Sequence, residues 1–323
     1  MLSDVMEHFG LLKDFQNDDY FETEHHKQIF QNIKLAIRQG RLIALTGIVG
    51  SGKTITLRRI YANLQEEGEI LVSKSLSVEK KRVTLKTLVT ALFYDLSTEK
   101  VVKVPGQNEK RIRELQTILK QRKKPVALFV DEAHDLNDNT LRELKRLVEV
   151  IKDCGGSLSI VLAGHPKLKN DLNSAQNEEV GSRTTVFELN GVVASKREYI
   201  EWLLEDCSKP DTDLYSLATE EAIDLLSDRL LTPLQISHHL SLAFEEAFKV
   251  GEKPISEEII KSVLTKDIDS LEPNLARQGY NVKALAESIH AQPKIIRAFL
   301  KGKLPPGQTY EIQAELQSVG IPI

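Results

Sequence analysis

The chain has 323 residues, 41% of them hydrophobic and 28% charged, with a formal net charge of −4. That length carries an ample core in one large or two modest domains, and the composition is that of an ordinary soluble protein, excluding collagen-like, disulfide-dense and low-complexity classes. No apolar run approaches the ~20 residues needed to span a bilayer.

Met1–Gly10 carries Asp4 and Glu7 where a signal peptide would be basic, and no apolar stretch follows, so the cytoplasm is the expected compartment and no membrane partner is expected. Further along, β-branched runs at Leu42–Thr46, Ile70–Ser73, Val126–Val130, Leu158–Ala163 and Thr184–Leu189 alternate with helical patterns. The helices fall at about Thr54–Gln65, Thr84–Leu96, Glu109–Gln121 and Thr140–Ile151. That alternation predicts an α/β fold on a parallel sheet of five strands. After Gly191 the strand patterns stop, and 195–207, 218–229, 233–249 and 256–266 read as amphipathic helices. Pro273 and Gly279 mark an expected linker into a last helical piece at 281–323. Cys154 and Cys207 lack metal-ligand spacing and a disulfide framework, and read as buried or idle thiols. Charge is uneven: residues 191–280 hold nine Lys/Arg against 18 Asp/Glu, so any contact with nucleic acid must come from local patches elsewhere.

Gly47-Ile48-Val49-Gly50-Ser51-Gly52-Lys53-Thr54 fits G-x-x-x-x-G-K-[ST] in full, between a predicted strand and a predicted helix. Glycines let main-chain N–H groups curl around phosphates, and the helix start adds its positive dipole end. Lys53 is expected at the β- and γ-phosphates of ATP, and the Thr54 hydroxyl on Mg²⁺. The buried run Val126–Val130 ends in Asp131-Glu132, which places carboxylates where metal and attacking water sit. Asp131 is expected to partner Mg²⁺ through water, and Glu132 to act as the base, so hydrolysis is expected as well as binding.

The order of these segments resembles the AAA+ ATPases. More narrowly it is similar to the transposition ATPases of the TnsC, TniB and phage Mu B type and to the related ExeA-like ATPases. The segments that carry this are His8-Phe9-Gly10-Leu11, Leu45–Thr54, Val130-Asp131-Glu132-Ala133-His134 and Leu162-Ala163-Gly164-His165-Pro166-Lys167-Leu168. The resemblance covers roughly residues 5–250 and implies an AAA+ core over 1–190 and a helical lid over 191–270; the pattern after it is expected to form a separate C-terminal piece over 271–323.

In such proteins the fourth strand ends in a polar sensor of the γ-phosphate. His165 holds that position, where a plain loop histidine is the alternative. Arg183 stands where these families keep an arginine that completes a neighbour's active site, which implies a ring or helical filament of identical subunits; a solvated surface arginine is the plainer reading. The family's lid motif Gly-x-Pro-Arg is replaced by Leu231-Thr232-Pro233-Leu234-Gln235. Leu234 cannot touch a phosphate as an arginine would, which implies slow hydrolysis, while Pro233 could still pack on the adenine.

The resemblance also implies that loops after the second strand line a channel for double-stranded DNA. Lys80, Lys81, Arg82 and Lys103 are the candidates for phosphate contacts, with Thr84 at a helix start. Readout would be directed at the backbone, with low sequence specificity.

Leu285-Ala286, a turn near His290–Gln292 and Ile296–Leu300 resemble a helix-turn-helix, with Lys294, Arg297, Lys301 and Lys303 on or after its second helix. A docking domain for a protein partner fits the same pattern. The function implied is regulation of DNA transposition: oligomerising on target DNA and recruiting or activating a separate transposase, with a target-selection adaptor as a further partner. The alternatives are secretion-machine assembly, as in the ExeA-like ATPases, and an origin-binding initiator or helicase loader.

Overall fold

A computed structural model describes residues 1, 3–16, 20–74, 83–97, 104–189, 196–264 and 270–323. In chain order, α1 (Ser3–Phe9) and α2 (Glu24–Arg38) precede β1 (Leu42–Thr46). Next come α3 (Lys53–Glu67), β2 (Leu71–Lys74), α4 (Leu85–Leu96), α5 (Asn108–Arg122) and β3 (Val126–Val130). They are followed by α6 (Asp138–Asp153), β4 (Leu158–Gly164), α7 (Pro166–Asn173), α8 (Glu178–Gly181) and β5 (Thr184–Glu188). The later elements are α9 (Lys196–Cys207), α10 (Glu220–Arg229), α11 (Pro233–Val250), α12 (Glu257–Val263), α13 (Leu271–Arg277), α14 (Val282–Ser288), α15 (Pro293–Leu300) and α16 (Pro306–Ser318). Two compact units result, one of Glu24–Gly47 with Lys53–Leu189, the other of Met1–Thr23, Ile48–Gly52 and Asn190–Ile323.

In the first unit all strand pairs are parallel, in the order β2-β3-β4-β1-β5. The three central strands are buried on both faces, which is why they read as unbroken apolar runs. Their side chains alternate between two cores. Leu42, Ala44, Leu128, Val130, Ile160 and Leu162 pack with α4–α7. Ile43, Leu45, Ala127, Phe129, Val161 and Ala163 pack with α2 and α3. Register aligns Thr46 with Gly164 and Val130 with Leu162, so β1, β3 and β4 deliver their carboxyl ends to one edge of the sheet. In open α/β sheets that edge is where ligands bind.

The second unit holds two separate cores. Phe9, Phe15 and Phe244 meet edge to face, with ring centroids 4.7 Å and 4.9 Å from the Phe244 ring, among α1 and α9–α12. Leu275, Leu285, Ile296, Phe299 and Leu316 close a smaller core among α13–α16. The expected linker at Pro273 is a helix instead: α13 takes Pro273 in its first turn, where a missing N–H costs nothing, and buries Leu275. No helix of the described residues is long and apolar enough to cross a membrane.

Candidate nucleotide-binding site

At the end of β1 the Gly47 N–H donates to the Gly164 carbonyl at 3.2 Å, so the chain leaves the sheet beside β4. Gly50 and Gly52 then take positive φ, +82° and +90°, which other residues reach only at a cost. Lys53 opens α3 and is buried at its start. Burial pushes its ammonium below the usual lysine range, against the attraction of Glu132 and Asp131.

Five residues converge on this edge of the sheet unit, Thr54, Asp131, Glu132, His134 and His165. The Thr54 hydroxyl donates to Asp131 Oδ2 at 2.9 Å, and the Glu132 N–H donates to Asp131 Oδ1 at 2.9 Å. Glu132 sits in the left-handed region at φ 55°, a position few side chains occupy without stabilising contacts around them. The short 3₁₀ turn Ala133–Asp135 follows and brings His134 Nδ1 to 3.4 Å from Glu132 Oε2. His165, the residue before α7, places Nε2 3.9 Å from the same oxygen, and the two imidazoles pack with centroids 3.9 Å apart. Burial lowers the pKa of His134, partly offset by Glu132 and Asp135.

The phosphate-loop residues Ile48–Gly52 group with the helical unit. There the Val49 N–H donates to the Arg277 carbonyl at 2.8 Å, and the Leu234 N–H to the Gly50 carbonyl at 3.4 Å. A side chain at Gly50 would lie 2.8 Å from both Leu234 Cβ and Thr232 Oγ1. Thr232 caps α11 by accepting from the Gln235 N–H, and Pro233 occupies the first helical position beside Leu234. The Ser51 hydroxyl is buried with no hydrogen-bond partner among the described residues. An orphaned donor in a glycine-rich cradle fits a phosphate oxygen. Thr54 and Asp131 offer hard oxygen donors, which fit Mg²⁺.

Lys53, Thr54, Asp131, Glu132 and His165 are thus brought to one edge. Arg183 is not. It precedes β5, whose Thr184 pairs with Leu42 at the start of β1, so it lies at the opposite edge of the sheet. There it faces Glu149 at 3.1 Å and Glu179 at 3.8 Å, in a cavity of about 610 Å³ lined also by Arg41, Lys145 and Lys152. Thr84 caps α4, accepting from the Thr87 N–H at 3.4 Å. Lys80, Lys81, Arg82 and Lys103 lie outside the described residues. Lys294, Arg297, Lys301 and Lys303 are all exposed.

Three participants carried no expectation from sequence: His134, Thr232 and the Arg277 carbonyl. His134 follows Glu132 by two residues, and Thr232-Pro233-Leu234-Gln235 has the spacing of a helix-capping box. Nothing local announces Arg277.

Residues 37–172 match the model of an AAA domain. No curated protein matches the chain. Among solved structures, the ORC2 protein of Aeropyrum pernix in its ADP form is similar with a TM-score of 0.58 at 15% identity, over 96% of this chain and 91% of that one. CDC6P from Pyrobaculum aerophilum gives 0.53 at 14%, over 96% and 91%. The Aeropyrum pernix ORC1 protein in complex with DNA gives 0.50 at 18%, over 97% and 87%. Such likenesses speak for the fold, which is that of the AAA+ P-loop NTPases.

Proposed function

We propose that this chain, with its AAA+ fold and an AAA domain over 37–172, is an ATP-hydrolysing switch that assembles with copies of itself on double-stranded DNA. The observation that carries it is the Thr54–Asp131 contact at the carboxyl ends of β1 and β3, with Lys53 and Glu132 beside it. Thr54 and Asp131 would hold Mg²⁺, which when bound neutralises charge on the phosphate oxygens. The Gly50–Gly52 amides and Lys53 bind and orient the triphosphate. Glu132 accepts a proton from water at a carboxylate oxygen. His165, on the adjoining strand end, offers a ring nitrogen as the γ-phosphate sensor. Arg183 acts on a neighbouring subunit's site, because its place at the far edge of its own sheet keeps it from its own. Pro233, at the start of the lid helix α11, packs on the adenine.

Within that class we assign the chain to regulation of DNA transposition. The four family-like segments support this, with Lys80, Lys81, Arg82, Thr84 and Lys103 as the DNA-phosphate contacts. Strand transfer belongs to a transposase, and a target-selection adaptor is a further partner. One observation favours a second reading, an origin-binding initiator. Helix α15 and the turn after it carry four exposed cations on the small core of α13–α16, and the ORC1 protein is seen in complex with DNA.

Footprinting together with electron microscopy, on duplex DNA with a non-hydrolysable ATP analogue, separates these. Uniform protection along DNA, with ordered multimers that require the analogue, is expected of the transposition regulator. Protection of one defined sequence supports the initiator. Neither multimers nor DNA retention removes both.

A further inference from the structure

Glu132, His134 and His165 each present one ligand atom, and these atoms all lie within 4.8 Å of one another. We propose that the three form a site for Zn²⁺, separate from the oxygen donors of Thr54 and Asp131. Zn²⁺ binds imidazole nitrogen and carboxylate oxygen at about 2.0–2.2 Å, so adjacent ligand atoms of a tetrahedral site stand roughly 3.3–3.5 Å apart. His134 Nδ1 and Glu132 Oε2 are already at 3.4 Å. His165 Nε2, at 3.9 Å from that oxygen, needs a shift of about half an ångström toward it, and the two rings, packed with centroids 3.9 Å apart, must part to reach tetrahedral angles.

The chemistry of the donors selects the ion. Two imidazoles and one carboxylate suit zinc and its neighbours, whereas Mg²⁺ takes oxygen ligands and keeps much of its water. His134 Nδ1 is buried and has no hydrogen-bond partner even though Glu132 Oε2 is near, so a ligand to this nitrogen answers an unmet need. Backbone position supports the grouping: Glu132 in its left-handed conformation is followed directly by the 3₁₀ turn that carries His134, and His165 follows the end of β4. Three protein ligands leave a fourth position for water, as in zinc sites that exchange ligands. Lys53 and Lys167 repel a cation here while Glu132 and Asp135 attract it, which suits a reversible rather than a structural ion. If Glu132 is the base, as the proposed function holds, bound zinc withdraws it from hydrolysis without touching the phosphate loop.

The test is Co²⁺ titration of the metal-stripped full chain in excess Mg²⁺, read by visible ligand-field absorption. A single saturable Co²⁺, displaced by Zn²⁺ and indifferent to Thr54→Ala, is expected. His134→Gln, His165→Gln and Glu132→Gln should each weaken it by at least the roughly 10–100-fold that loss of an outer partner costs. Circular dichroism identifies any variant that fails to fold, and three separate ligand removals keep the test decisive. No saturable uptake by the wild type, or equal uptake by all three folded variants, overturns the site. A chain that hydrolyses ATP but takes up no Co²⁺ refutes the zinc site alone. Uptake by a chain that hydrolyses no ATP supports the site and removes the ATPase.

Discussion

The Thr54 hydroxyl donates to Asp131 Oδ2 at 2.9 Å, tying the first turn of α3 to the end of β3. The other carboxylate oxygen of Asp131 accepts from the Glu132 N–H, so both its oxygens are oriented before any ligand arrives. Preorganised donors of this kind cost no reorganisation at the moment of reaction.

Removing either member should therefore slow magnesium-dependent turnover. Thr54→Ala and Asp131→Ala are expected to slow hydrolysis by on the order of 10²–10³, while Thr54→Ser, which keeps the hydroxyl, stays near the wild type. Steady-state ATPase rates against Mg²⁺ concentration check this.

Arg183 lies at the start of β5, at the sheet edge opposite Asp131 and Glu132. Arg183→Ala should cost about 10³–10⁵ in the assembled rate. Mixed with Lys53→Ala, which keeps its arginine but loses its own site, activity should partly return, because each subunit supplies what the other lacks. A mixture as dead as its components contradicts the trans role.

Burial lowers the His239 pKa below 6.5, although its Nδ1 contacts the Gln235 carbonyl at 2.8 Å. The unfolded chain then binds the proton more readily than the folded one. Stability from this group is intact above pH 6.5 and is lost as pH falls from there through the folded pKa. Urea unfolding at about pH 7.5 and about pH 5.5 should show the loss, and His239→Asn should flatten it in part. His134, also depressed by burial, contributes with the same sign.

Gly50 combines φ +82° with a would-be Cβ 2.8 Å from Thr232 Oγ1 and Leu234 Cβ. Gly50→Ala should destabilise the helical unit by about 1–3 kcal/mol and push the start of α11 off the loop. Gly52→Ala, with open space around it, should cost only its backbone strain. Thermal melts of the two variants make the comparison.

The sheet was legible because strands buried on both faces appear as apolar runs, and β1 and β3 begin and end where those runs do. The acids after β3 were legible for the same reason: charge just past a buried run marks its exit. Helix α2 carries Ile29, Ile33, Ala36 and Ile37 at helical spacing, yet it was not among the expected elements. Pro273 misled because proline breaks a helix only beyond its first turn. The left-handed Glu132 and the Val49–Arg277 hydrogen bond had no signal to find. The first is strain held by its surroundings, and the second joins residues far apart in sequence.

Glu132 serves the chemical step at a site whose binding groups do not need it. Glu132→Gln is nearly isosteric, so the most direct measurement is Mg²⁺·ATP affinity by calorimetry alongside single-turnover hydrolysis in this variant. Wild-type affinity is expected, with hydrolysis slowed by about 10²–10⁴, the span of a lost general base. Wild-type turnover in Glu132→Gln, or no ATP uptake by the unaltered chain, would contradict it.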